Sequence, residues 1–156
     1  MDNKLIFLKE LISCIVLDVS AGPSTGSIII LSFGVSLKER EYSIMIYSAW
    51  RLDCLRTFKP LTGNNESNKL ERGNLLKEIF KLENDIVSDV IVNNFGDFEI
   101  VFQSQKSLKV FCDITPKVEE TELDENWDFS IHKKNVCYIH THMFAIKSTK
   151  FDPDSC

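Results

Sequence analysis

Residues Phe98–Asp113 read FEIVFQSQKSLKVFCD, two short apolar runs around a polar connection, and this stretch decides the fold. Phe98, Ile100 and Phe102 recur with a period of two, which gathers their side chains on one face of a strand. Leu108 to Asp113 has the same β-rich character. Ser104 to Ser107 between them have the length of a hairpin connection, so antiparallel pairing is the cheapest topology.

Outward from this hairpin the strand signal repeats. Ile86 to Val92 precedes it, and beyond it Trp127, Phe129 and Ile131 alternate with Asp128, Ser130 and His132 before a further run, Cys137 to Ile146. Towards the N-terminus lie Cys14 to Val19 and then Ser27 to Phe33, whose three consecutive isoleucines suit a strand covered on both faces. Glu41 to Leu52 reads as one strand, with Tyr42, Ile44 and Ile46 alternating with Ser43 and Met45. Two segments have helical spacing instead: Lys4 to Ser13, with Leu5, Leu8, Leu11 and Ile12 and an N-cap at Asp2 or Asn3, and Asn74 to Leu82, with Leu75, Leu76, Ile79 and Phe80. Pro60 to Asn68 and the acidic Pro116 to Asn126 read as loops. The expected architecture is a single α+β domain over residues 1–156, a predominantly antiparallel sheet of about seven strands with two short helices.

The composition limits function. With 156 residues, 44% of them hydrophobic and 26% charged, the chain matches an ordinary globular domain with one core. Eleven phenylalanines supply large apolar volume without polar tips, as packed sheet faces require. A net charge of −5 is unsuited to a phosphate backbone, so no nucleic-acid partner is expected. Lys9 and Glu10 interrupt the N-terminal apolar run, and the sequence has no uncharged apolar stretch of about 18 residues, so neither export nor a membrane partner is expected. Five cysteines with no CxxC pair read as reduced thiols, which points to the cytoplasm.

Three constellations could carry function. His140 and His142 stand one residue apart on a strand and could project two imidazoles from one face, the basis of an alternative reading as a small metal-dependent hydrolase or ligand-binding domain. With Ser148 and Asp152 they superficially resemble the zinc run of metal-dependent isopeptidases. Nine residues separate His142 from Asp152, however, and Met143 replaces the proline of that pattern. Strand histidines facing a neighbour are the simpler account; no metal ligand is assigned and no cofactor is expected. Cys14, Cys112 and Cys137 lie in apolar strand patterns, where cysteine acts as a small hydrophobe, and no catalytic residue is assigned. Binding is better supported. Trp50 beside Arg51 offers an aromatic and a guanidinium, and Glu119, Glu120 and Glu122, with Trp127 close by, offer an acidic surface to a protein partner. Self-association is a further option, with Ser27 to Phe33 or a terminal strand at a sheet edge.

The order of Ile30 to Gly34 (ILSFG), Glu41 to Leu52 (EYSIMIYSAWRL), Gly73 to Phe80 (GNLLKEIF), Phe95 to Phe102 (FGDFEIVF), Leu108 to Asp113 (LKVFCD) and Asn126 to Phe129 (NWDF) resembles a family of small uncharacterised bacterial proteins. The resemblance covers about residues 10 to 144. It departs at the hairpin turn, where Gln105, Lys106 and Ser107 stand in place of a glycine, and in the acidic insertion before Trp127. Such small acidic proteins look like immunity proteins. The resemblance therefore implies a non-catalytic, cytoplasmic protein that binds and neutralises a toxin.

Overall fold

A computed structural model describes residues 5–21, 28–54, 57–62, 77–112, 125–141 and 146–150. Among these residues eleven strands form two antiparallel sheets. The strands are β1 (Ile15–Ser20), β2 (Ile29–Gly34), β3 (Tyr42–Ile46), β4 (Ala49–Cys54), β5 (Thr57–Thr62), β6 (Val87–Val92), β7 (Phe98–Phe102), β8 (Lys106–Phe111), β9 (Glu125–Ile131), β10 (Val136–Thr141) and β11 (Ile146–Lys150). One sheet runs β1-β2-β3-β9-β10-β11 and the other β5-β4-β8-β7-β6. The central hairpin forms as its pattern requires, with Phe98 opposite Val110 and Ile100 opposite Leu108.

The strand-rich, antiparallel expectation is met, but the protein is mainly β. Three differences account for the larger strand count. Glu41 to Leu52 is two strands, because the chain leaves one sheet and enters the other at Tyr47 and Ser48, whose backbone N–H groups both donate to the Asn126 carbonyl. Alternation continues across that crossing and hides it from the pattern. Cys137 to Ile146 likewise divides between β10 and β11. The expected loop at Pro60 begins instead within β5, an edge strand, where a missing N–H is tolerated.

The first expected helix is a 3-10 helix, Ile6–Leu11. Leu5, Leu8 and Leu11, each three residues apart, are all buried, whereas Ile12 is 38% exposed. A strict spacing of three is the 3-10 period, and adding Ile12 made it look α-helical. Of the second expected helix, residues 77–80 are helical and 74–76 lie outside the described residues. A 3-10 turn, His132–Lys134, joins β9 to β10 and ends at Asn135 in the left-handed region.

Inner-face residues align in rows across the strands. Val19, Leu31, Ile44, Phe129 and Tyr138 form one row of the six-stranded sheet, and Ile29, Ile46, Trp127 and His140 form the next. In the five-stranded sheet Trp50, Val110, Phe98 and Val92 are aligned, as are Leu52, Leu108, Ile100 and Val90. Both inner faces and the 3-10 helix contribute to one apolar core. Phe7 of that helix stacks on Tyr138 with ring centroids 4.1 Å apart. The two sheets also meet through backbone at one margin, where Val87 donates to Cys14 and Val16 donates to Asp85, at 2.9 Å each. β2 lies between β1 and β3, so the described part of Ser27 to Phe33 does not supply a sheet edge, Ser27 itself lying outside the described residues.

Candidate interaction site

The connection between β6 and β7, Asn93 to Asp97, is short, polar and heavily bonded. Asn93 Oδ1 accepts the N–H groups of Phe95 at 2.8 Å and Asp97 at 3.1 Å, and Asn93 Nδ2 donates to Asp97 Oδ2 at 2.9 Å. Asn93 N–H also donates to the Asp97 carbonyl. Asparagine suits this position because its side chain closes turns that backbone alone would leave open. Gly96 follows with φ of +96°, a conformation that glycine adopts without a steric penalty.

The six-stranded sheet grips this turn from the other side. Trp127 of β9 donates its indole Nε1–H to the Gly96 carbonyl at 3.0 Å, and its ring meets Phe98 edge-on at 5.5 Å. His140 of β10 is 2% exposed and stacks on Trp127, the centroids 5.2 Å apart and the planes 15° from parallel. The imidazole edge lies against the Gly96 Cα so closely that a Cβ there would fall 2.1 Å from His140 Nε2. A third tie comes from the residue that follows β8, Cys112, whose N–H donates to Asp97 Oδ1 at 2.7 Å. The turn is thus fixed by two sheets at once, and it carries Phe95 with 56% of its surface exposed.

The outer face of the five-stranded sheet adjoins this turn. Arg51, Lys109, Glu99 and Ile91 are cross-strand neighbours in β4, β8, β7 and β6. Asp53 pairs with Arg51 at 2.8 Å and with Lys109 at 3.0 Å, while the Arg51 guanidinium lies 5.6 Å from the Phe111 ring centre. Burial works to raise the Asp53 carboxyl, but bonds from Lys109 and Arg51 outweigh it and hold the group below its ordinary value. Partly exposed pairs of this kind contribute little stability each. Their effect is to order a face on which Ile91 and Phe111 remain exposed.

The residues singled out in sequence fall in different places. Trp50 is 4% exposed and Trp127 fully buried, so both belong to the core. Alternation along β4 puts Arg51 on the opposite face from Trp50, and Arg51 meets Phe111 instead. Glu119, Glu120 and Glu122 lie outside the described residues, as does His142. His140 faces the core, and among the described residues no group of three or more His, Cys, Asp or Glu is placed to hold a metal ion. Burial pushes the thiols of Cys14 and Cys137 up and that of Cys112 to about 12, which disfavours the nucleophilic thiolate. Phe95 and the turn that holds it were readable only as a connection between strands; Asn93 and Asp97 flanking Phe95-Gly96 were the available signal.

Fold and turn together define an antiparallel two-sheet protein with an exposed aromatic side chain on a heavily hydrogen-bonded connection. In comparisons with protein-family models, curated proteins and solved structures, the chain matches none. Among the described residues no helix is long and apolar enough to cross a membrane.

Proposed function

We propose that this is a non-catalytic protein-binding protein, immunity-like in neutralising a toxin, with Phe95 as its anchor. The observation that carries this reading is the display of a large exposed aromatic on a turn immobilised by Trp127, His140 and Cys112. A turn whose backbone is already ordered in this way has less conformational freedom to lose on binding. Aromatic residues are enriched where interfaces concentrate their energy.

The charge distribution supports the same surface. Residues 113–128 contain seven acidic side chains and one lysine, more negative charge than the −5 of the whole chain. This stretch follows Cys112, which bonds Asp97, and its last residues enter β9 at Glu125, two positions before Trp127, which bonds Gly96. Residues near both of its ends therefore bond the turn bearing Phe95. Glu119, Glu120 and Glu122 steer a basic partner towards the anchor, as complementary charge does for association rates.

Affinity capture with tagged wild-type protein, followed by titration of the recovered partner, tests this reading. Phe95→Ala is expected to weaken the complex by about tenfold or more, in line with loss of a central anchor. Reversing Glu119, Glu120 and Glu122 to lysine is expected to slow association in a salt-dependent manner. A partner bound equally well by both variants would remove this surface from the proposal.

A further inference from the structure

We infer that His140 is a pH-sensitive latch on the Asn93–Asp97 turn. The inference concerns the turn itself and holds whether or not Phe95 meets a partner.

Burial and the Asn126 amide both favour a neutral ring. His140 Nδ1 lies 3.4 Å from Asn126 Nδ2, so in the neutral form the amide donates and Nδ1 accepts, leaving the ring proton on Nε2. A second proton on Nδ1 would set two donors facing each other and bury a full charge at a position that is 2% exposed. The ring has no slack to relieve this, because Trp127 stacks on one face and Gly96 closes its Nε2 edge. A charged imidazole therefore leaves its slot. Its departure uncovers the Gly96 Cα and removes the partner against which the Trp127 indole stacks, weakening the indole bond to the Gly96 carbonyl.

The groups around the ring do not rescue the charge. From the turn, Asp97 faces it and favours the protonated form, but both Asp97 oxygens already accept bonds, from Cys112 N–H and Asn93 Nδ2. From β9 come the uncharged Asn126 and Trp127, and beyond the indole lies the Cys112 thiol, neutral at ordinary pH. The 3-10 helix presents Phe7 to Trp127. Burial prevails over Asp97 and holds His140 below the ordinary 6.5. With the folded value depressed, the unfolded or released ring binds protons more readily than the latched one. The latch is intact above about 6.5 and weakens as pH falls from there towards the folded value.

Two-dimensional NMR across this range, with Trp127 indole and Cys112 amide exchange as readouts, tests the latch. The open population is expected to rise by up to about tenfold per pH unit below about 6.5, the slope of one proton. Far-ultraviolet circular dichroism should stay unchanged over the same interval. His140→Gln, which keeps hydrogen bonding without a titrating ring, is expected to flatten the response, and His140→Phe serves as a second non-titrating ring should glutamine pack poorly. Turn signals that stay constant until the whole protein unfolds, or that respond equally in both variants, would overturn the inference.

Discussion

Alanine at position 96 is expected to destabilise the protein by about 2 to 6 kcal/mol, combining backbone strain of about 1 to 3 with an overpacking cost of similar size. The backbone contribution arises because φ at Gly96 is +96°, which a side chain with a Cβ rarely adopts. The packing contribution arises because the added methyl would sit 2.1 Å from His140 Nε2. An exposed ring could swing aside at small cost. This one is stacked on Trp127 and buried, so the turn or the strand must move instead. Against a typical stability of about 5 to 15 kcal/mol, a loss of this size brings the protein close to unfolding at ambient temperature. Urea denaturation of the variant measures it directly. A double-mutant cycle separates the two causes: in a His140→Ala background, Gly96→Ala should cost only the backbone part, about 1 to 3 kcal/mol.

Trp127→Ala is expected to cost about 3 to 5 kcal/mol, the range for removing a large buried aromatic. Trp127 is fully buried in the row with Ile29, Ile46 and His140, and it touches both sheets. Trp127→Phe is the more informative change. It keeps an aromatic ring in the core but removes the indole N–H, leaving the Gly96 carbonyl without that donor at a cost of about 1 to 3 kcal/mol. The expected result is a protein that still unfolds cooperatively, with a lower midpoint in urea and faster amide exchange at Asp97 and Cys112. Equal stability of Trp127→Phe and the wild type would show that the bond to Gly96 contributes nothing.

The sequence made the strands legible wherever one face is buried. Phe98, Ile100 and Phe102 alternate in sequence and are all buried in the structure, and the run of isoleucines before Phe33 marks a strand flanked on both sides. What alternation cannot report is which sheet a strand joins. Tyr42 to Cys54 keeps its rhythm while changing sheets, because the Asn126 carbonyl receives two successive N–H groups at the crossing. The first helix was misjudged for a related reason, since Leu5, Leu8 and Leu11 satisfy a period of three and Ile12 added a false fourth position.

The site was less legible than the fold. Trp50-Arg51 looked like a recognition pair because the residues are adjacent in sequence, yet adjacency on a strand places them on opposite faces. His140 looked like a possible ligand beside His142, yet its side chain belongs to the inner row that contains Trp127. Phe95 gave no periodic signal. Its prominence depends on contacts that its neighbour Gly96 makes with Trp127 and His140, residues 31 and 44 positions later in the chain, which local pattern cannot anticipate. A lone phenylalanine in a connection is ordinary; this one sits on a turn that both sheets contact.

The most direct test of that central claim is hydrogen exchange at the Trp127 indole N–H at neutral pH. If the six-stranded sheet fixes the turn, this proton is protected along with the core amides of β7 and β9 and exchanges only with cooperative opening. Rapid indole exchange while those amides stay protected would contradict it, showing a turn that moves independently of the sheets and a Phe95 that is not held for a partner.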